Sequence, residues 1–312
     1  MTSQRSFALS LTLLLAACGA ASAVPPNATP ALPGTASSGD ARWIPTAGAS
    51  YQIQYDGKLD LGVPAKIYDL DMFDTKASVV AELHKMGRRA MCYISVGTWE
   101  RWRRDAHEFP RSVLGKPDGN WKGERWLDIR KTSILEPIMA QRLDLCKKKG
   151  FDGVDPDNLD GYENKTGFPL TYQEQLTYDT WVANAAHDRG LTADQKGDND
   201  QVKDLVKVYD FAVVEQCYAQ HWCKSFDLYT NANRLVVDVE YYHSQQRFLD
   251  GNCAEASKNH DTAMLKKLQL TAWILTCKTR YAADSWETLT ITFPFLCPRS
   301  TYSCAAPIWA SE

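Results

Sequence analysis

Four aspartates and an asparagine fall within twelve residues of this chain, in the stretch Phe151–Tyr162 that reads FDGVDPDNLDGY. Asp155 and Asp157 are two apart, so an extended segment points both side chains to one side. Gly153 and Val154 read as the end of a buried strand, and Pro156 argues against a regular central strand continuing beyond them. Carboxylates crowded at the end of a buried strand are costly unless they serve something in front of them. A calcium loop is the competing reading, and its spacing fails. Counted from Asp155, an EF-hand needs glycine at the sixth position, where Asp160 stands.

Further carboxylates and rings follow other apolar runs. Asp69 and Asp71 close one, Ser95 and Glu100 follow another, and Glu215 ends a third. Glu240 ends a fourth, with Tyr241 and Tyr242 behind it. Tyr93 and Lys196 fall at strand ends or inward faces. Tyr93, Trp99, Trp102 and Tyr218 offer flat surfaces suited to sugar rings. Two carboxyls whose pKa values are pushed apart are what glycoside hydrolysis requires: one attacks or steadies the oxocarbenium carbon, the other protonates the leaving oxygen. A metal-dependent hydrolase would use similar acids. However, no CxxC or HxxxH pair occurs, and His84, His187 and His243 do not fall at ligand spacing. No metal and no cofactor is expected.

The elements that must carry these groups alternate. Strands are expected at Tyr51–Tyr55, Ala65–Leu70, Arg89–Val96, the opening stretch, Leu191–Lys196, Tyr209–Glu215, Arg234–Glu240 and Gln269–Leu275. Helical patterns cover Lys76–Gly87, Ser133–Gly150, Thr171–Gly190, Gln201–Val208 and Thr262–Leu268. Eight strands between residues 41 and 278 predict a single-domain α/β fold, a parallel (β/α)8 barrel. An open doubly wound sheet is the alternative, but no glycine-rich phosphate loop follows any strand. In a barrel the reacting groups sit at the strands' carboxyl ends, and even-numbered strands share layers of side chains. Asp157 and Glu215, on the fourth and sixth strands, would then face one centre. The aromatic stretch Gly97–Asp128 reads as an elaborated loop, and Asp128 with Arg130 as an ion pair. Residues 279–312 carry no readable period.

The chain has 312 residues, 44% of them hydrophobic, with a net charge of -3 and no basic run, so nucleic-acid binding is not expected. Met1–Ala23 reads as an export segment. Leu15-Ala16-Ala17-Cys18 resembles a bacterial lipobox, which would cut the signal at residue 18 and place a lipid anchor on Cys18. Ala21-Ser22-Ala23 is the ordinary cleavage site that competes with it. The Pro, Ala, Ser, Thr and Gly-rich segment 19–40 reads as a disordered tether. Export, whether as a membrane-anchored lipoprotein or a secreted or periplasmic monomer, favours disulfides. Cys217 with Cys223, Cys253 with Cys277 and Cys297 with Cys304 are the natural pairs. Cys92 and Cys146 read as buried thiols.

The blocks YDLDMFDT (68–75), CYISVGTWE (92–100), GERWLDIR (123–130), GFDGVDPDNLDGY (150–162), TGFPLT (166–171), EQC (215–217) and VEYY (239–242) together resemble glycoside hydrolase family 114. These are endo-α-1,4-polygalactosaminidases on a TIM barrel. The resemblance implies cleavage of α-1,4-linked galactosamine polymers, including partly deacetylated exopolysaccharide, with retention of configuration. It implies Asp157 as nucleophile and Glu215 as general acid/base. Asp155 becomes a supporting or substrate-binding acid, and the residues' own placement at strand ends and inward faces makes Asp69, Asp71, Tyr93, Ser95, Glu100, Asn158, Lys196, Tyr218 and Glu240 the expected substrate contacts. An acidic cleft suits a substrate bearing ammonium groups. Two positions depart from the family pattern: Gly197 stands where Asn is usual, and Val214 replaces an Asn often found before the glutamate. They leave open a weakly active or non-catalytic surface lipoprotein that binds amino sugars.

Overall fold

Eight short strands pair side by side in chain order, every neighbour parallel, in a computed structural model that describes residues 42–281 apart from 120, 242–243 and 278–279. They are β1 (Tyr51–Gln54), β2 (Ile67–Asp71), β3 (Arg89–Ser95), β4 (Gly153–Asp157), β5 (Thr192–Lys196), β6 (Phe211–Glu215), β7 (Val236–Glu240) and β8 (Thr262–Leu265). All are buried along nearly their whole length, as strands covered on both faces must be. β9 (Ile274–Thr276) returns antiparallel along β8, and β10 (Arg280–Tyr281) pairs with β9. The Tyr55 and Asp56 N–H groups donate to the Leu270 carbonyl, and Lys266 Nζ donates to Gln52 Oε1 at 3.0 Å. These bonds tie the last strands back to the first. The result is a nearly closed (β/α)8 barrel of the TIM type.

Three longer helices cover β2 to β5: α1 (Ala77–Lys85), α2 (Thr132–Lys149) and α3 (Tyr172–His187). α3 starts on a capping box, with Thr171 and Glu174 satisfying each other's backbone N–H. α2 stops at Gly150 in the left-handed region (φ 91), with Lys147, Lys148 and Lys149 in its last turn. Between β3 and α2 the chain leaves the barrel to build a three-stranded antiparallel sheet from Thr98–Glu100, Leu114–Pro117 and Glu124–Leu127. The long aromatic loop is therefore a small sheet of its own.

Register fixes which side chains look inward. Ile53 lies opposite Asp69, and Asp69 and Asp71 lie opposite Met91 and Tyr93. Tyr93 and Ser95 lie opposite Asp155 and Asp157, and Gly153 opposite Thr192. Asp194 and Lys196 lie opposite Phe211 and Val213, and Val213 and Glu215 opposite Val237 and Val239. Partners across a ladder share a face, and alternate residues return to it. One continuous face therefore carries Asp69, Asp71, Tyr93, Ser95, Asp155, Asp157, Asp194, Lys196 and Glu215. Bonds between non-adjacent strands show that it is the interior, since Tyr55 of the β1 end reaches Asp155 of β4 at 2.8 Å. Near the strands' amino ends the same face is apolar, with Tyr51, Ile67, Met91 and Phe211 all buried. Gly153 belongs there: a Cβ on it would sit 2.7 Å from the Met91 sulfur.

Three expectations are corrected. Thr262–Leu265 is the eighth parallel strand and not helical, while the strand expected at Gln269–Leu275 reduces to antiparallel β9. Four residues, three of them fully apolar, are too short for periodicity to separate strand from helix. The preceding helix ends at His260 (φ 63), so the chain has already turned. Cys92 and Cys146 are not free thiols but a disulfide. Cys92 lies between Met91 and Tyr93 on the outer face of β3, beneath α2, with the two Cα atoms 6.0 Å apart, within bridging range. Cys217–Cys223 and Cys253–Cys277 are paired as expected. The export segment, Cys18, the tether, Tyr242, His243 and the pair Cys297–Cys304 lie outside the described residues.

Candidate active site

Lys196 is where the acids meet. Its ammonium donates to Asp155 Oδ2 at 3.0 Å and lies 3.9 Å from both Asp157 Oδ1 and Glu215 Oε1. The Asp157 and Glu215 oxygens can therefore be no further apart than twice that distance, with one shared cation between them. Local sequence explains the placement. Pro156 has no N–H to give, and the ladder between β4 and β5 ends at Val154 while that between β3 and β4 runs on to Asp157. β4 thus does continue through the proline, but only on its β3 side.

The two carboxyls differ in setting. Asp157 Oδ2 accepts from Tyr93 Oη at 2.9 Å, and Glu215 Oε1 from Tyr241 Oη at 3.3 Å. Burial of the groove wall raises Glu215 above the ordinary carboxylate range, Lys196 opposes this, and the charges of Asp157 and Asp155 add to it. The outer edge of Glu215 is open, with 44% of its side chain exposed, so water moderates that rise. Burial alone would pull Lys196 down, but Asp155, Asp157, Glu215 and Asp69 overcome it and keep the ammonium charged. Three further acids are weaker. Burial raises Asp160 to about 6, and raises Asp198 and Glu124 to about 7 each. Asp160 and Glu124 also feel the Asp157 charge, and Asp198 feels Asp160.

Other expected contacts have internal partners. Asp71 and Glu100 are both paired with Arg103, which anchors the small sheet to β2. Asn158, at φ 66, donates to Ser95 Oγ at 3.0 Å and Thr98 Oγ1 at 3.3 Å, so Ser95 and Asn158 brace the turn after Asp157. Asp69 accepts from Tyr55 within the barrel. Asp128 does pair with Arg130. Two assignments are corrected. Glu240 falls on the face opposite Glu215, and accepts the Ala219 N–H on the outer side. Tyr218 donates to Asp261 Oδ2 at 2.6 Å instead of facing the mouth. Sequence reading missed Tyr55, Asp194 and Arg103. A cavity of about 800 Å³ lined by Ser50, Lys66, Thr262 and Ile274 lies at the strands' amino ends, away from these acids.

The two departures from the family pattern have local explanations. Val214 is fully buried on the outer face, so no side chain at that position reaches the mouth. Gly197 has φ 59, a left-handed conformation that glycine and asparagine both adopt readily.

Gly97 holds the mouth closed on itself. A Cβ there would lie 1.8 Å from the Asn158 carbonyl oxygen. Gly97→Ala must displace Asn158 and, with it, Asp157. The expected result is a fall of about 10²-fold in kcat with the far-ultraviolet circular dichroism unchanged. Steady-state kinetics beside the spectrum checks it.

A family model described as glycoside-hydrolase family GH114 matches residues 33–282. The chain belongs to that family. It is a glycoside hydrolase. Among solved structures, Ega3 of Aspergillus fumigatus in complex with galactosamine is 32% identical, with a TM-score of 0.73 over 77% of this chain and 99% of that one. The glycoside hydrolase domain of PelA from Pseudomonas aeruginosa is 15% identical, with a TM-score of 0.59 over 73% of this chain and 98% of that one, a likeness of fold. No curated protein matches. In this GH114 member the acids gathered on Lys196 occupy the end of the barrel where TIM-barrel enzymes carry their chemistry.

Proposed function

We propose that the chain is an endo-acting hydrolase of α-1,4-linked galactosamine polymers, with Asp157 as nucleophile and Glu215 as general acid/base. The observation that carries this reading is the Asp157–Lys196–Glu215 arrangement at 3.9 Å on either side. Asp157 lies at the same mouth with part of its side chain open to solvent, and an exposed carboxylate there favours a polymer bearing ammonium groups. The galactosamine bound to the GH114 relative Ega3 supports the same sugar class.

Asp157, steadied by the Tyr93 hydroxyl, attacks the anomeric carbon while Glu215 gives its proton to the departing glycosidic oxygen. Water then enters, Glu215 takes its proton, and the sugar–Asp157 ester is broken with the original anomeric configuration restored. Lys196, 3.9 Å from each, steadies whichever carboxyl is ionised: Asp157 before the ester forms and Glu215 after it has given up its proton. Three disulfides among the described residues suit an oxidising compartment, which supports export and leaves Cys18 as the candidate lipid anchor.

Incubating the protein with de-N-acetylated α-1,4-galactosamine oligomers and following products by mass spectrometry tests the reading. Internal cleavage with first-formed α-anomers, seen by proton NMR, is the expected result. Binding without new reducing ends would instead support the amino-sugar-binding surface lipoprotein.

A further inference from the structure

Asp194 lies in the middle of β5 and is fully buried. Neither of its oxygens receives a hydrogen bond from an N–H or hydroxyl group among the described residues. Its hydrogen-bond neighbour is another acid, Asp155, which is in turn bonded to a third, Asp69. Tyr55 Oη lies 2.8 Å from an oxygen of Asp69 and 2.8 Å from one of Asp155. A hydroxyl has one proton to donate, so it cannot satisfy two carboxylates. Asp155 Oδ2 also takes the Lys196 ammonium. Three ionised carboxyls around one ammonium would leave two uncompensated charges in a dry core, which proteins avoid by protonation.

We propose that Asp69 and Asp194 are held as neutral acids that donate to an ionised Asp155, and that this proton-loaded cluster is a positioning device for Lys196. The inference rests on Asp157 and Glu215 being the reacting pair. The charge balance agrees with the local environments. Burial, then the charge of Asp155, raises Asp69 and Asp194 well above the carboxylate range. Asp155 is lowered despite burial by Lys196 and by the hydrogen bonds from Asp194 and Asp69. Tyr51, Tyr55 and Tyr93 also face the cluster and are themselves raised, by burial first, so none supplies a second negative charge. With two donors on it, Asp155 stays fixed and ionised. Lys196 is then drawn down to 3.0 Å from Asp155 and kept 3.9 Å from Asp157 and Glu215, close enough to steady both without pairing tightly with either. Asp194 acts through Asp155 and touches no substrate.

The test separates a neutral donor from a carboxylate. Asp194→Ala removes the donor and is expected to lower kcat about 10²-fold. Asp194→Asn keeps a donor of the same shape and is expected to restore all but about threefold of that loss. Asp155→Asn abolishes the ion pair and should be as harmful as Asp194→Ala, with a displaced pH–rate profile. Infrared spectroscopy of the intact protein at pH 7.5 should show protonated-carboxyl absorption that diminishes in Asp194→Asn, and this reading needs no substrate. Loss of the band with no polymer cleavage by wild type would uphold the cluster and sink the proposed reaction. An unchanged band, or an Asp194→Asn variant as inactive as Asp155→Asn, would overturn the cluster.

Discussion

Glu215→Gln is expected to lower kcat on α-1,4-galactosamine oligomers by about 10²–10⁴-fold while leaving the affinity for them nearly unchanged. Gln keeps the volume and the bond to Tyr241 but has no proton to give. The wild-type side chain is suited to the role because burial and the charges of Asp157 and Asp155 hold it above the ordinary range against Lys196. It therefore carries a proton more readily than an exposed glutamate near neutrality. Once Asp157 is esterified its charge is gone, one of the terms raising Glu215 disappears, and the same carboxyl becomes the better base. Wild-type activity should fall as pH rises through the Glu215 pKa, and the Gln variant should lack that limb. The comparison to make is kcat and KM for both proteins across pH. A variant keeping more than about a tenth of the rate would remove Glu215 from the general-acid role. Combining it with Asp157→Asn should cost little beyond the worse single change, because the two groups act as one unit.

The sequence made the barrel legible because strands buried on both faces read as apolar runs, and seven of the eight were placed near their observed ends. The eighth failed for want of length: Thr262–Leu265 has no room for a period to show. The acids at the ends of β4 and β6 were also legible, because clustered carboxylates beside apolar runs have few structural uses. What could not be read was parity. Glu240 ends its strand as Glu215 does, but the register that pairs Val239 with Glu215 turns Glu240 outward, and a one-residue difference reverses the face. The same register removes Val214 from the mouth. Asp194 was hidden for a related reason. Thr-Ala-Asp-Gln-Lys is a poor strand sequence by propensity, yet Asp194 and Lys196 point into a polar interior that tertiary structure alone supplies.

The buried acids should also govern stability, with the sign opposite to that of ordinary surface carboxylates. Asp69 and Asp194 have folded pKa values raised well above the range of an unfolded aspartate, by burial first. Above about pH 4 the unfolded chain has lost these protons and the folded one keeps them, so the unfolded state binds fewer. Stability must then fall as pH rises, by about 1.4 kcal/mol per pH unit for each such group, until its folded pKa is passed. Asp179 and Asp238, raised chiefly by burial, act in the same direction, and Asp198 and Glu124 do so up to about pH 7. Opposing groups work elsewhere on the scale. In Asp210, burial is outweighed by hydrogen bonds from His187 and Arg42, which lower its pKa. Its contribution is present above the unfolded aspartate pKa and lost as pH falls through the lower folded value. Lys266, lowered to about 7 by burial alone, affects the slope only above that pH, where it adds stability as pH rises. The unfolding free energy from urea titration should therefore be at least about 2 kcal/mol larger at pH 5 than at pH 7, and decline again below about pH 4. Asp194→Asn removes one retained proton, so its profile over the same interval should be shallower by about 1.4 kcal/mol per pH unit. A flat wild-type profile, or an equal slope in the variant, would show that Asp194 is already ionised in the folded protein.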